Sequence, residues 1–394
     1  MNILIAPSGF KESLMADAVA NCIENGVRRI IGNANIHKIP VVDGGEGFAK
    51  ILINSTAGTL YEVVTTGPTG EKVQSHFGFL GGESKKTAIL EMAATAGLSL
   101  VPRDMRNPML TTTYGVGELI RHALDAGAER ILIGCGDSGT NDGGAGMVQA
   151  LGARLLDRNG RDIRLGAIGL LDLHTIDITH LDPRLKQVQI DVACNPHVQL
   201  CGEQGVARIF GPQKGATPEQ VDLLDAALTH WGSLVETSLG QRVIGVPGSG
   251  ASGGLGSGLM AFLNAKLHPR YDIIMKYQQV EQKLPGMDLV ISAEGAIDFQ
   301  TPKGKVPAEV ARLAKLYGIP VVVLAGTIGK NAQDNYNYGI DAFTTILQTP
   351  CTLEHAITNC ESLVESATER LLRAILVGMH MSQRAHDVAL GQAA

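Results

Sequence analysis

The chain has 394 residues, of which 44% are hydrophobic and 18% charged. That is an ordinary globular composition, and the length exceeds what one hydrophobic core serves, so two domains are expected. A formal net charge of -6 with no block of Lys or Arg gives nucleic acid no basic face, and no apolar run reaches the roughly 18 residues that a membrane span needs.

In chain order, Ile3-Leu4-Ile5-Ala6 reads as a strand, entered at Asn2 without a charged leader or a signal-like apolar stretch. It runs into Pro7-Ser8-Gly9-Phe10-Lys11-Glu12-Ser13, where Ser13 is placed to cap a helix whose apolar face is Val19, Cys22, Ile23, Val27 and Ile30. Lys11 then stands at the mouth of a strand-to-helix turn. After Ile39-Pro40-Val41-Val42 comes Asp43-Gly44-Gly45-Glu46-Gly47, with two carboxylates on one short glycine loop. Tyr61 to Val64 and Val73 to Leu80 flank Gly67-Pro68-Thr69-Gly70 and read as a hairpin.

The most informative stretch follows the strand Ile131-Leu132-Ile133. It is Gly134-Cys135-Gly136-Asp137-Ser138-Gly139-Thr140-Asn141-Asp142-Gly143-Gly144-Ala145-Gly146-Met147, and it leads into helical spacing at Met147, Ala150 and Leu151. Glycines bare the backbone N–H groups for close approach of an anion, and Ser138, Thr140, Asn141 and Asp142 add polar ends in the same turn. Neither the Rossmann nor the Walker glycine pattern is present with its flanks, so no generic nucleotide fingerprint applies. Lys214 follows in Gly211-Pro212-Gln213-Lys214-Gly215. A second Gly/Ser run, from Pro247 to Gly258, opens a helix at Leu259 to Ala265 and reads as a phosphate-cradling loop rather than a linker.

The last third alternates strand and helix: Asp288 to Ser292, Pro307 to Tyr317, Pro320 to Ala325, Ile340 to Leu347, then a long amphipathic helix from Leu353 to Met379. Its first strand ends in Ser292-Ala293-Glu294-Gly295-Ala296-Ile297-Asp298, with Thr301, Lys303 and Lys305 close behind. The fold class expected is α/β with two α/β domains. A flavodoxin- or Rossmann-like parallel-sheet domain is formed by both chain ends, residues 1–63 and 280–381, and a second α/β domain, residues 64–279, is inserted in it. Residues 382–394 lack periodicity and are expected to fray. In open α/β sheets ligands bind beyond the carboxyl ends of strands, which is where each of these carboxylate-bearing loops falls.

Phosphoryl transfer from ATP needs carboxylate-held Mg2+, cations and N–H groups on the phosphates, and a carboxylate toward the acceptor hydroxyl. All these parts occur here. A nicotinamide oxidoreductase is disfavoured because the first strand-turn-helix unit lacks the dinucleotide pattern. The six cysteines form no metal-type or redox-type pair, which fits a reducing cytoplasm.

Phe10-Lys11-Glu12-Ser13, Val42-Asp43-Gly44-Gly45-Glu46-Gly47, Thr140-Asn141-Asp142-Gly143-Gly144-Ala145-Gly146-Met147, Phe210-Gly211-Pro212-Gln213-Lys214-Gly215 and Glu294-Gly295 with Ile297-Asp298 resemble, in order and spacing, the bacterial type I glycerate kinases. So do Leu90-Glu91-Met92-Ala93-Ala94 and Thr111-Thr112-Thr113-Tyr114-Gly115. The resemblance runs from Met1 to about Met381. It implies ATP- and Mg2+-dependent phosphorylation of D-glycerate, generally at the 2-hydroxyl, to 2-phosphoglycerate.

On the loops and the resemblance together, Asp142, Lys11 and Asp43 are assigned to catalysis. Lys214, Ser138, Thr140, Asn141, Gly253, Gly254, Glu294 and Thr301 are assigned to the nucleotide, and Glu46, Asp298 and Asp191 to the metal. The partners expected are ATP and a small hydroxy acid, without nucleic acid or membrane, in a cytoplasmic protein whose oligomeric state is left open, with a homodimer as one option.

The chain departs from the family pattern at four places. Ser8-Gly9 stands where the family has Asp-Ser, Asp137 and Gly139 where it has Gly and Ala, Asn195 and Val198 in the loop Asn195 to Gln199 where it has Asp and Asn, and Ala296 where it has Arg. Losing an Arg removes a fork of donors suited to a carboxylate. A diverged relative that phosphorylates another small hydroxy acid, or a binding protein of weak or no kinase activity, therefore stays open at this point.

Overall fold

The computed structural model describes residues 1–10, 13–41 and 44–391. Its strands are β1 (Asn2–Ile5), β2 (Asn35–Lys38), β3 (Thr59–Thr66), β4 (Lys72–Phe79), β5 (Thr87–Glu91), β6 (Arg130–Gly134), β7 (Arg154–Leu156), β8 (Thr175–Asp177), β9 (Gln189–Cys194), β10 (Lys266–Pro269), β11 (Leu289–Ile297), β12 (Val321–Ile328) and β13 (Ala342–Thr345). The chain divides into two compact units, Met1–Asp43 with Gln278–Ala394, and Gly44–Tyr277.

In the first unit all pairings are parallel and the strand order is β13-β12-β11-β1-β2. Counted within the unit this is 2-1-3-4-5, the flavodoxin-like doubly wound order, and β1 and β11 flank the switch point. Both faces are covered. Ile3, Ile5, Ile291, Ala293, Val322 and Leu324 pack with Val19, Ile23 and Val27 of the helix Ala16–Ile30 and with Val364 and Leu372 of the helix Cys360–Gly391. The alternate residues Leu4, Val290 and Val323 are equally buried. Continuous hydrophobic runs are what two-sided burial demands of a parallel strand. The two helices meet closely at Gly26, where a Cβ would come within 2.6 Å of Thr368 Cβ.

Three local expectations are corrected. Ser13 is not the cap of the first helix: the helix starts at Ala16 after Met15, and the Ser13 hydroxyl donates to Ile357 O at 3.1 Å. The long C-terminal helix is broken at Asn359 into Leu353–Thr358 and Cys360–Gly391, and the second piece stays helical well past Ser382, where fraying was expected. The first unit boundary lies at Asp43 rather than residue 63, because the helix Phe48–Ser55 belongs to the second unit. Its Phe48 ring sits where a Cβ on Gly134 would be, 2.4 Å away, and Ile53 Cδ1 does the same at Gly78.

The second unit holds a mixed sheet in the order β10-β9-β6-β5-β4-β3. β10, β9, β6 and β5 run parallel, and β3 with β4 forms the antiparallel hairpin expected around Gly67-Pro68-Thr69-Gly70. β7 and β8 make a small separate ladder. Ile131 and Ile133 of β6 and Val192 of β9 lie in the main core with Met147, Leu151, Trp231 and Leu255. No helix among the described residues is long and apolar enough to cross a membrane.

Candidate active site

In the second unit the glycine-rich segment leaves the carboxyl end of β6 and turns into the helix Ala145–Ala150. Asp142 is fully buried at its centre. Its Oδ2 accepts from the Thr113 N–H at 2.7 Å, the Thr113 hydroxyl at 2.9 Å, Gly146 N at 3.2 Å and the Thr112 hydroxyl at 3.4 Å, and Oδ1 accepts from Gly144 N at 3.2 Å. Burial pushes the carboxyl above its ordinary range, against the opposing pull of Thr113, Gly144 and Gly146. With these bonds made, Asp142 fastens the loop to two helix N-termini rather than reaching outward as a base.

Lys214 is equally sequestered. Its Nζ donates to Thr140 O at 2.7 Å, Ser138 Oγ at 2.9 Å and Asn141 Oδ1 at 2.9 Å, which uses all three of its N–H groups. Burial pushes the amine down to about 7, against the attraction of Asp142. Sequence reasoning cast Lys214 as a phosphate ligand; the structure makes it the internal strut of the Ser138–Asn141 turn. Two atoms of the turn stay uncommitted: Asn141 Nδ2 and Thr140 Oγ1 are buried and have no hydrogen-bond partner among the described residues.

Gly253 and Gly254 form the floor under this turn. At φ +73° and +88° they are left-handed, and a Cβ on Gly253 would fall 1.9 Å from Thr140 O. The Gly143 N–H donates to Gly253 O at 3.0 Å. The Pro247 to Gly258 run is thus neither a linker nor an open cradle, since its glycines are consumed in letting two loops touch.

A second cluster lies beside the first in the same unit. The Gly44–Gly47 turn packs on Gly136, whose Cβ would meet Gly45 N and Cα at 2.7 Å. Asp137, at φ +47°, accepts from the Glu46 N–H at 3.2 Å, and the exposed Glu46 carboxylate takes the Ser99 hydroxyl. Buried Glu91, at the end of β5, holds Gly47 N at 3.1 Å and Ala49 N at 2.7 Å. Nearby, Asn195 closes its own turn on His197 N at 3.0 Å, and Val198 is in the core.

In the first unit, Lys305 is the hub beyond the end of β11. Its Nζ donates to Ala296 O at 3.1 Å and lies 3.7 Å from Glu294 Oε1 and 3.6 Å from Asp298 Oδ1. Thr301 is buried, and its hydroxyl accepts from Asp298 N at 3.0 Å, so it shapes the turn rather than facing a ligand. Ser8 is also committed, donating to Ala293 O at 3.0 Å and joining the ends of β1 and β11.

Asp191, assigned to the metal, has both oxygens bound by protein groups instead. It sits within β9, with Oδ2 taken by Arg130 Nε at 2.8 Å and Gln189 Nε2 at 2.7 Å, and Oδ1 by His268 Nε2 at 2.7 Å. Burial raises its carboxyl, but the hydrogen bonds of His268 and Arg130 outweigh that and hold it below the usual range. Sequence reasoning assigned it without seeing that Arg130 opens the neighbouring strand. Among the described residues no group of three His, Cys, Asp or Glu gathers to hold a metal. Lys11 and Asp43 lie outside the described residues.

Residues 3–376 match the model of the glycerate kinase family. The chain belongs to that family. It is 45% identical over 97% of its length to the Bacillus subtilis (strain 168) glycerate kinase, and 45% identical over 96% to the Escherichia coli (strain K12) glycerate 2-kinase, covering 99% of each. The crystal structure of a putative glycerate kinase 2 from Salmonella typhimurium LT2 superposes with a TM-score of 0.80, at 46% identity, over 96% of this chain and 99% of that one. Family membership gives these loops a common context, although Thr113, Glu91, Trp231 and Ser257 were missed as parts of the framework. Glu91 and Thr113 stood in segments noted for resemblance, and a carboxylate ending an apolar strand was the available signal.

Proposed function

We propose that this chain transfers the γ-phosphoryl group of ATP to the 2-hydroxyl of D-glycerate, giving 2-phosphoglycerate. The observation that carries the reading is the pair of buried donors without a protein partner among the described residues, Asn141 Nδ2 and Thr140 Oγ1, on a turn that Lys214 and Asp142 fasten from within. A buried donor left without a partner costs about 1–3 kcal/mol, so a fold retains it where a ligand supplies the acceptor. The named relatives, at 45% identity over nearly the whole chain, support glycerate as that acceptor molecule.

In this reading Asn141 and Thr140 donate to phosphoryl oxygens, and Lys214 and Asp142 hold them there without touching the substrate. Phosphoryl transfer has little covalent chemistry for a protein to perform, so positioning and charge complementarity are the main contributions. Lys305 supplies cationic charge next to Ala296, the position where the family pattern has Arg, and is the group of the first unit suited to a carboxylate or a phosphate. Lys11 and Asp43 keep their assignments as cation and carboxylate.

Mg2+ suits carboxylate oxygen donors, Glu46 and Asp137 in one cluster and Glu294 and Asp298 in the other. With two carboxylates in each rather than a cage, the ion would be shared with ATP phosphates, whose charge it neutralises. We place the activity in the cytoplasm, in keeping with six free cysteines. Calorimetric titration tests the binding half: Mg2+–ATP and D-glycerate should each bind saturably, and NADH should not. Binding of NADH with no response to ATP would sink the proposal.

A further inference from the structure

Trp231 is the chain's only tryptophan, and it is fully buried. Its indole stacks on Phe262 with centroids 5.5 Å apart and planes within 5°. The indole Nε1–H donates to Ser257 Oγ at 3.0 Å, and the Ser257 hydroxyl in turn faces Gly254 O at 2.7 Å and Gly143 O at 3.2 Å. A Cβ on Gly143 would come within 2.8 Å of indole Cδ1 and Nε1, so the ring lies directly against the residue that follows Asp142.

Gly143 is therefore held by the indole, by the Ser257 hydroxyl at its carbonyl and by Gly253 O at its N–H. At φ +67° it is also a position where the backbone is free to swing once those restraints go. A core tryptophan needs one acceptor for its N–H. Here that acceptor shares its single O–H between Gly254 O, the shorter contact, and Gly143 O, which links the core of the second unit to the turn bearing Asn141.

We propose that Trp231 and Ser257 are a positioning pair for phosphoryl transfer. They lock Gly143, and through it the orientation of Asn141 and Asp142, without contact with the reacting atoms. The inference rests on the reading that the Ser138–Asp142 turn binds the transferred group. Its second consequence is that the emission of Trp231 responds when that turn is occupied. Misplacing a preorganised donor by a fraction of an ångström weakens transition-state contacts more than ground-state binding, so the cost falls on kcat rather than KM.

The test pairs Ser257→Ala, which deletes the hydroxyl relay and keeps the packing, with fluorescence of the unaltered protein. Ser257→Ala is expected to lower kcat by about tenfold or more while KM for ATP and D-glycerate moves less than about threefold. Tryptophan emission of the wild type is expected to shift as Mg2+–ATP saturates it. Trp231→Phe, which keeps the stack and loses the N–H, is expected to repeat the kinetic pattern. Wild-type turnover with Ser257→Ala within about twofold of it in kcat overturns this inference alone. So does wild-type emission that stays unchanged at saturation. No turnover of D-glycerate by the wild type overturns the functional reading instead, and this inference with it.

Discussion

Thr113 grips Asp142 twice, its N–H at 2.7 Å and its hydroxyl at 2.9 Å from the same oxygen, and that hydroxyl also accepts from Met147 N at 3.1 Å. One threonine thus ties the carboxylate to the starts of the helices Tyr114–Asp125 and Ala145–Ala150. Negative charge at helix N-termini is favourable, and the arrangement explains how a fully buried Asp142 is tolerated.

Asp142→Asn keeps the size but turns amide hydrogens toward donors already aimed at Oδ2. Stability should fall by about 1–3 kcal/mol, and turnover with it. Urea denaturation and steady-state kinetics on the same preparation check this. A variant with unchanged midpoint and turnover within a few fold of wild type would remove Asp142 from the account.

Lys214 makes stability rise with pH above neutrality. Its amine is near 7 when folded and near its ordinary value of about 10.4 when unfolded, so between these the unfolded chain binds more protons. This contribution to stability is therefore fully present above the unfolded pKa and is lost as pH falls toward the folded one. Across pH 7 to 10, wild type should gain stability relative to Lys214→Met, measured as the difference in denaturation midpoint. A constant difference would mean that Lys214 keeps an ordinary pKa.

Gly253→Ala forces a Cβ to 1.9 Å from Thr140 O, and Gly240→Ala, also at positive φ, meets nothing within 4 Å. The second should cost only the backbone strain of about 1–2 kcal/mol. The first should cost markedly more and abolish activity. Equal thermal shifts for the two would show that the loops do not touch as described.

Asp191→Ala leaves Arg130 half-buried without its partner, so stability should drop by about 3–5 kcal/mol. The Mg2+ concentration for half-maximal activity should not move. A large rise in that concentration, with the fold intact, would restore Asp191 as a metal ligand.

Much of the architecture was legible because two-sided burial leaves apolar runs such as Ile3-Leu4-Ile5 and Leu289-Val290-Ile291, and a turn such as Gly67-Pro68-Thr69-Gly70 marks a hairpin. The loops beyond the carboxyl ends were legible for the same reason. What the sequence hid was direction. Nothing local says that Lys214 points inward to brace Ser138 and Asn141, that Asp191 pairs with Arg130 across strands, or that Phe48 seats on Gly134 and so moves the unit boundary. Those are contacts between distant segments, decided by packing. Ser13 misled because its hydroxyl found Ile357 O instead of the helix it precedes.

Lys305→Ala removes the cation bridging Glu294, Asp298 and the Ala296 carbonyl. KM for an anionic substrate should rise by about tenfold or more with little change in melting temperature, since the side chain is partly exposed. Unchanged KM for both ATP and D-glycerate would return Lys305 to a structural role.

The acceptor and the site of transfer are read together from kcat/KM for D-glycerate beside erythronate-like and other short hydroxy acids, with Mg2+–ATP as donor and phosphorus NMR locating the transferred group. D-Glycerate should be turned over in preference, with the phosphoryl group on the 2-hydroxyl. Transfer to the 3-hydroxyl, stronger turnover of another hydroxy acid, or no transfer at all would contradict it.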